Sequence, residues 1–271
     1  MIANILSIAG SDPSGGAGIQ ADLKTFAARD TYGMAAVTAL TAQNTKGVYG
    51  VHVVPAAFVA DQVRAVLDDI RVDAVKIGMI ADAGIAETLA DILSRHPDIP
   101  IVLDPVMIAK GGASLLADEA IAALRDRLLP LATVLTPNLP EAAALLGEPE
   151  ARDRNAMVAQ AEALRAFGAG AVLVKGGHLP GDESPDVLAE HSGPTWFEGS
   201  RVRTSNTHGT GCTLSSAIAA ELGKGNAVAA AVSTAKRYLA TAIARSGELD
   251  VGSGHGPVHH FHNTGRTDPV G

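Results

Sequence analysis

Ile2-Ala-Asn-Ile-Leu-Ser-Ile-Ala9 runs into Gly10-Ser-Asp-Pro-Ser-Gly-Gly-Ala-Gly18 and then into Ile19-Gln-Ala-Asp-Leu-Lys-Thr-Phe-Ala-Ala-Arg29. A short apolar run, a glycine-rich turn and an amphipathic stretch read in that order as strand, tight connection and helix. The same alternation recurs downstream. Further strands are predicted at Ala35–Thr41, Ala74–Ile77, Ile101–Leu103, Thr133–Leu135 and Ala171–Lys175. Helical spacing predicts helices over Pro55–Ile70, Ile85–Ser94, Asp118–Leu129, Leu139–Leu146 and Asn155–Phe167, with Thr210–Leu222 and Ala227–Ser246 closing the chain. Asp186–Val202 is less regular, and Gly193-Pro194 between two short runs predicts a hairpin there. Repeated strand–helix units predict an α/β fold, a mostly parallel central sheet flanked by helices on both faces.

The 271 residues show no repeat, linker or composition break, so residues 1–265 read as one domain and 266–271 as a C-terminal tail. The chain carries a net charge of −8 with both signs mixed, and no basic block points to nucleic acid. One cysteine excludes an internal disulfide and suits a reducing compartment. No apolar run is long enough to span a bilayer, and Ile2–Ala9 is too short and too polar for a secretory signal. The expectation is a cytoplasmic protein with no membrane partner.

In open parallel sheets ligands bind outside the carboxyl ends of the strands. Six segments follow predicted strands and should line one rim: Gly10–Gly18, Gln43-Asn44, Gly78-Met79, Asp104–Met107, Thr136–Glu141 and Lys175–His178. The turn Gly209-Thr-Gly-Cys212 precedes a helix, whose first N–H groups lack intrahelical partners and carry the positive end of the macrodipole. Gly209, Thr210, Gly211 and Cys212 therefore read as an anion hole. A thiol there should have a lowered pKa and could serve as a base. The first glycine-rich loop is not a P-loop, because Gly16 and Ala17 stand where Lys and Ser/Thr belong. It fits a loose dinucleotide fingerprint, but Ala35–Ala42 lacks the acidic residue that a nicotinamide cofactor requires. A substrate loop is the better reading, with Asp22 as a hydrogen-bond acceptor. Asp104, Asn138 and Glu141 could supply oxygen ligands to Mg²⁺, although Asp104 could equally cap a turn and the other two a helix. Lys175 leaves a strand into glycines and could pair with phosphate, whereas Lys236 sits in an Ala-rich helix. Gln43 could read the edge of a heterocycle. The tail histidines His255, His259, His260 and His262 suggest incidental metal binding at most.

Taken together, Ile8–Asp22, Thr38–Asn44, Lys76–Met79, Val102–Met107, Leu135–Ala142, Val174–His178, Asn206–Ala217, Gly254–Pro257 and His260–His262 resemble, in order, the motifs of bacterial hydroxymethylpyrimidine/phosphomethylpyrimidine kinases. That family lies in the ribokinase-like superfamily. The resemblance implies a three-layer α-β-α fold, ATP and Mg²⁺ as cofactors, and a small pyrimidine alcohol as acceptor, phosphorylated twice in thiamin biosynthesis. It implies a pocket formed by Gln43, Asp22 and backbone near Gly10 and Val106, and a homodimer. Cys212 stands where many sugar kinases of the fold carry an aspartate base, which argues against a sugar and leaves pyridoxine or pyridoxal phosphorylation as the alternative, ahead of a non-catalytic sensor built on the kinase fold. On this reading Cys212 takes the hydroxymethyl proton, Gly209–Cys212 hold the transferring phosphoryl group, and Lys175 with Lys236 adds positive charge beside ATP.

Overall fold

The computed structural model describes residues 1–107 and 118–262. The tail at 266–271 lies outside the described residues. Among the described residues there are ten strands: β1 (Asn4–Ala9), β2 (Tyr32–Val37), β3 (Ala39–Asn44), β4 (Gly47–Val53), β5 (Ala74–Ile77), β6 (Ile101–Leu103), β7 (Val134–Leu135), β8 (Ala171–Lys175), β9 (Asp186–Glu190) and β10 (Gly193–Phe197). Eight form one sheet in the order β10-β9-β8-β7-β6-β5-β1-β2. The strands from β2 to β8 in that sheet are parallel, and β9 runs antiparallel to β8. The helices are α1 (Gly18–Ala28), α2 (Ala56–Asp69), α3 (Ala83–Leu93), α4 (Asp118–Ala123), α5 (Leu139–Leu146), α6 (Arg154–Arg165), α7 (Thr210–Gly223) and α8 (Val228–Ala244).

Period-2 alternation sorts the strand side chains between two apolar layers. Leu6, Ile8, Val75, Ile77, Leu103, Val172 and Val174 pack with α2, α3, α5 and α6. Ile5, Ala74, Val102, Val134, Ala171 and Leu173 pack with α1, α7 and α8 on the opposite face. The central strand runs are mostly apolar because both faces are covered. Helix α7 is buried from Thr213 to Leu222, so it lacks the usual polar stripe. None of the described helices is long and apolar enough to cross a membrane.

The single strand expected at Ala35–Thr41 is two strands. Thr38 is the pivot: its N–H bonds Ala9 O at 3.0 Å and its buried hydroxyl bonds Met79 O at 2.6 Å. Beyond it the chain leaves the main sheet, and β3 and β4 form a separate antiparallel ribbon. Gln43 and Asn44 thus sit in a strand and not after one. The expected hairpin is present at β9–β10, but it turns at His191-Ser192. Gly193 already pairs with Glu190, and Pro194 is tolerated because β10 is an edge strand.

Candidate active site

The sheet order reverses between β1 and β5, the crevice where ligands of such sheets bind. A cleft of about 420 Å³ opens there, and each of the six expected rim segments contributes to its lining.

Its floor follows from the alternation. The face that holds Ala74 and Val102 also holds Lys76 on β5, Asp104 just beyond β6, Thr136 beyond β7 and Lys175 at the end of β8. All four point towards α7. Lys175 Nζ lies 3.1 Å from Asp104 Oδ1 and 3.9 Å from Glu141 Oε2. Ser215 of α7 donates to Asp104 Oδ2 at 3.1 Å, and Thr136 donates to Oδ1 at 3.2 Å. Burial alone would raise the Asp104 carboxyl, but Lys175 and then Lys76 hold it below the usual range. Glu141 goes the other way: burial pushes it up to about 7, Lys175 opposes this and Asp104 adds to it. Asn138 and Glu141 form a capping box at the start of α5. The Asn138 side chain accepts from Glu141 N, and the Glu141 carboxylate accepts from Asn138 N, each at 2.8 Å.

Beneath the floor lies a second charged group. Lys76 Nζ sits 2.9 Å from Asp22 Oδ2, and both side chains are fully buried. Ser7 of β1, in register with Lys76, donates to Asp22 Oδ2 at 2.6 Å, and Ser216 of α7 donates to Oδ1 at 2.7 Å. Burial would lower the Lys76 ammonium, yet Asp22 keeps it above its usual value.

The roof is made of two glycine-rich turns packed against each other. Gly209 caps α7 with φ of +76°, and a Cβ there would overlap the Gly16 carbonyl oxygen. Gly18 opens α1 with φ of +55°, and a Cβ there would overlap Gly10 O. The turns are joined by His208 Nε2 and Asp12 Oδ2 at 2.8 Å. Asp12 also accepts from the backbone N–H groups of Ser14, Gly16 and Ala17. Burial would raise its carboxyl, but the bonds from His208, Ser14 and Gln43 hold it well below the normal range.

Eleven of the residues singled out from the sequence line the cleft: Gly10, Gln43, Asp104, Val106, Asn138, Glu141, Lys175, Gly209, Thr210, Gly211 and Cys212. Two do not. Asp22 is not an open acceptor, because Lys76, Ser7 and Ser216 occupy both its oxygens. Lys236 is held between Asp186 Oδ2 at 2.6 Å and Ser184 O at 2.8 Å, beside β9. The Cys212 thiol also departs from expectation. Burial pushes it up to about 11, and the pull of Lys76 only partly offsets that. Helix N-termini lower a thiol pKa where solvent or a cation stabilises the thiolate; here Asp22 and Asp104 add unfavourable negative charge. The residues missed were Lys76, Asp12 and His208. A lysine inside Ala74-Val-Lys-Ile77, a strand buried on both faces, was the available signal, since a buried charge requires a partner.

Among the described residues no three His, Cys, Asp or Glu side chains gather into a metal cage. Two carboxylates, Asp104 and Glu141, do share the floor, and Glu141 is pushed up partly by Asp104. Such a sparse acidic floor fits a hard cation that keeps most of its own water.

A family model described as "Phosphomethylpyrimidine kinase" matches residues 12–259. The hydroxymethylpyrimidine/phosphomethylpyrimidine kinase of Escherichia coli K12 is 52% identical over 259 residues, covering 96% of this chain and 97% of the relative. The structure of Bacillus subtilis pyridoxal kinase, an ADP complex, superposes with a TM-score of 0.89 at 39% identity, covering 96% of this chain and 98% of that one. The phosphomethylpyrimidine kinase structure from Clostridium difficile 630 gives 0.79 at 42% identity, covering 89% and 99%.

Proposed function

This chain belongs to the phosphomethylpyrimidine kinase family, and on that premise we propose that it is an ATP-dependent kinase of thiamin biosynthesis. It phosphorylates 4-amino-5-hydroxymethyl-2-methylpyrimidine and then converts the monophosphate to the diphosphate. The observation that carries the reading is the meeting, in one cleft, of the Gly209–Cys212 helix start with the Lys175–Asp104–Glu141 floor. Phosphoryl transfer asks for positioning and for stabilisation of spread negative charge, and this arrangement supplies both. ADP release that requires the pyrimidine alcohol tests it; release without the acceptor, or none with it, counts against it.

On this reading the N–H groups of residues 209–212 hold the transferring phosphoryl group. Lys175 faces the same space with a fixed positive charge. Gly10, Gln43 and Val106 bind the acceptor, and Cys212 takes the hydroxymethyl proton. Asp22 acts indirectly, by holding Lys76. Mg²⁺, when bound, neutralises charge on the donor phosphates; Asp104 and Glu141 would hold it, with Asn138 fixing Glu141 through the capping box. Replacing Asp104 by Asn should then raise the Mg²⁺ concentration for half-maximal rate about tenfold or more. An unchanged magnesium titration removes Asp104 from that role.

The double constraint at Gly209 gives a further expectation. Alanine there combines a left-handed backbone with overlap on Gly16 O. Turnover of Gly209→Ala should fall at least ~10²-fold, the scale of a misplaced catalytic group. Turnover within threefold of wild type would show that the anion loop does not depend on this packing.

A pyridoxal kinase activity is the second reading, favoured by the fit to the Bacillus subtilis pyridoxal kinase structure. We further read the chain as cytoplasmic and as a homodimer. The ribbon β3–β4 exposes apolar side chains, Val51 and Val53 on one face and Leu40 on the other, with Tyr49 near the tip, which suit contact with a second copy.

A further inference from the structure

Residues 252–262 run back towards the cleft as a strap. Near its start, His255 N–H bonds Thr45 O at 2.8 Å, on the turn of the β3–β4 ribbon that carries Gln43. The strap then meets the anion loop twice. Gly256 O accepts from His208 N at 3.0 Å, on the residue that precedes Gly209. His260 Nε2 lies 3.0 Å from Thr213 Oγ1, on the residue that follows Cys212. Between these points Val258 and His259 are buried, and Tyr238 of α8 donates to His260 O.

The Thr213 contact reaches the backbone of the loop. Thr213 Oγ1 bonds Gly209 O at 2.8 Å, and Thr213 N bonds the same oxygen at 2.8 Å. A hydroxyl has one proton. With that proton donated to Gly209 O, Thr213 accepts from His260 Nε2–H. Burial first, and then the charge of Lys24 and the neighbouring histidines, pushes the His260 imidazole down to about 3, so the ring is neutral and carries one N–H. Fixing the Gly209 carbonyl along α7 fixes the peptide plane of which the Thr210 N–H is the other end. That N–H lies at the helix start, with Thr207 O a long 3.5 Å away.

We propose that the strap is a positioning element for phosphoryl transfer: Gly256 and His260 grip the loop 208–213 at both ends, and the His260–Thr213–Gly209 chain holds the N–H groups of the anion hole in place. This rests on the assignment of residues 209–212 to the transferring phosphoryl group. It gives a tail histidine a specific task in place of incidental metal binding. It also separates His260 from Cys212, since a brace on the anion hole serves both phosphorylations alike.

The test compares His260→Leu with His260→Gln, whose side-chain amide N–H can replace Nε2–H. Leucine should lower kcat of both phosphorylations by a similar factor, about 10–10²-fold, with acceptor KM within about threefold. Glutamine should restore most of that loss. Hydrogen exchange on the ligand-free protein, well below its unfolding temperature, reads the brace without turnover: amides 210–213 should exchange faster in the leucine variant. Unchanged kcat in folded His260→Leu overturns the proposal, as does a glutamine variant as slow as leucine. Should the wild-type protein leave the pyrimidine untouched, the functional reading fails, and the exchange rates still decide the brace: faster exchange supports it and equal exchange overturns it.

Discussion

Cys212→Ala slows the first phosphorylation by about 10²–10⁴-fold, the range a general base contributes, and slows the second far less. The first nucleophile is an alcohol, whose proton must leave as the O–P bond forms. The second is a phosphate oxygen, already largely ionised at neutral pH. Only the first step needs a base. The thiol sits at about 11, pushed there by burial. At pH 7 it is therefore a thiolate in roughly one molecule in 10⁴. The first step should accelerate as pH rises through the neutral and alkaline range, while the second should vary little with pH for this reason. Product-resolved rates for each step, in wild type and variant, read both effects. Equal losses in the two steps would make Cys212 part of the shape of the anion hole and not a base.

Lys76→Met should destabilise the fold by about 3–5 kcal/mol, the cost of leaving a buried charge without its partner. Asp22 and Lys76 are both fully buried, and after the substitution only Ser7 and Ser216 would face the Asp22 carboxylate. Burying the pair was itself costly, so removing both charges should hurt less than removing one. The double variant Asp22→Asn with Lys76→Met should recover a large part of the loss, a coupling that a double-mutant cycle measures. Urea unfolding of the four proteins checks this. A loss below 1 kcal/mol for Lys76→Met, or additive losses in the double variant, would contradict it. The single variant should also push the Cys212 thiol still higher, because Lys76 is the cation that draws it down.

The parts of this ribokinase-like fold legible in the sequence were those set by local pattern. Ala74–Ile77, Ile101–Leu103, Leu139–Leu146 and Ala171–Lys175 are strands and a helix at the boundaries their apolar periodicity predicts. The β2–β3 break was not legible, because Ala35–Thr41 stays apolar while Thr38 turns on hydrogen bonds to Ala9 and Met79, both distant in sequence. The rim was legible as a set, since each segment follows a strand end. What a given side chain does on the rim was less so. Asp22 has the right type and place for a substrate contact, but a lysine 54 residues away takes its charge. Cys212 has the right helix position for an activated thiol, yet the carboxylates and burial around it come from β6, α1 and the packed roof. Partners remote in sequence decide protonation, and they become visible only when the strands are laid side by side.

The most direct test is product-resolved turnover. Purified protein with ATP and Mg²⁺ is given hydroxymethylpyrimidine in one reaction and pyridoxal in another, and products are followed by mass spectrometry. A pyrimidine monophosphate should rise first and then be converted to the diphosphate. Pyridoxal phosphate as the sole product, or no phosphorylated pyrimidine, would contradict it.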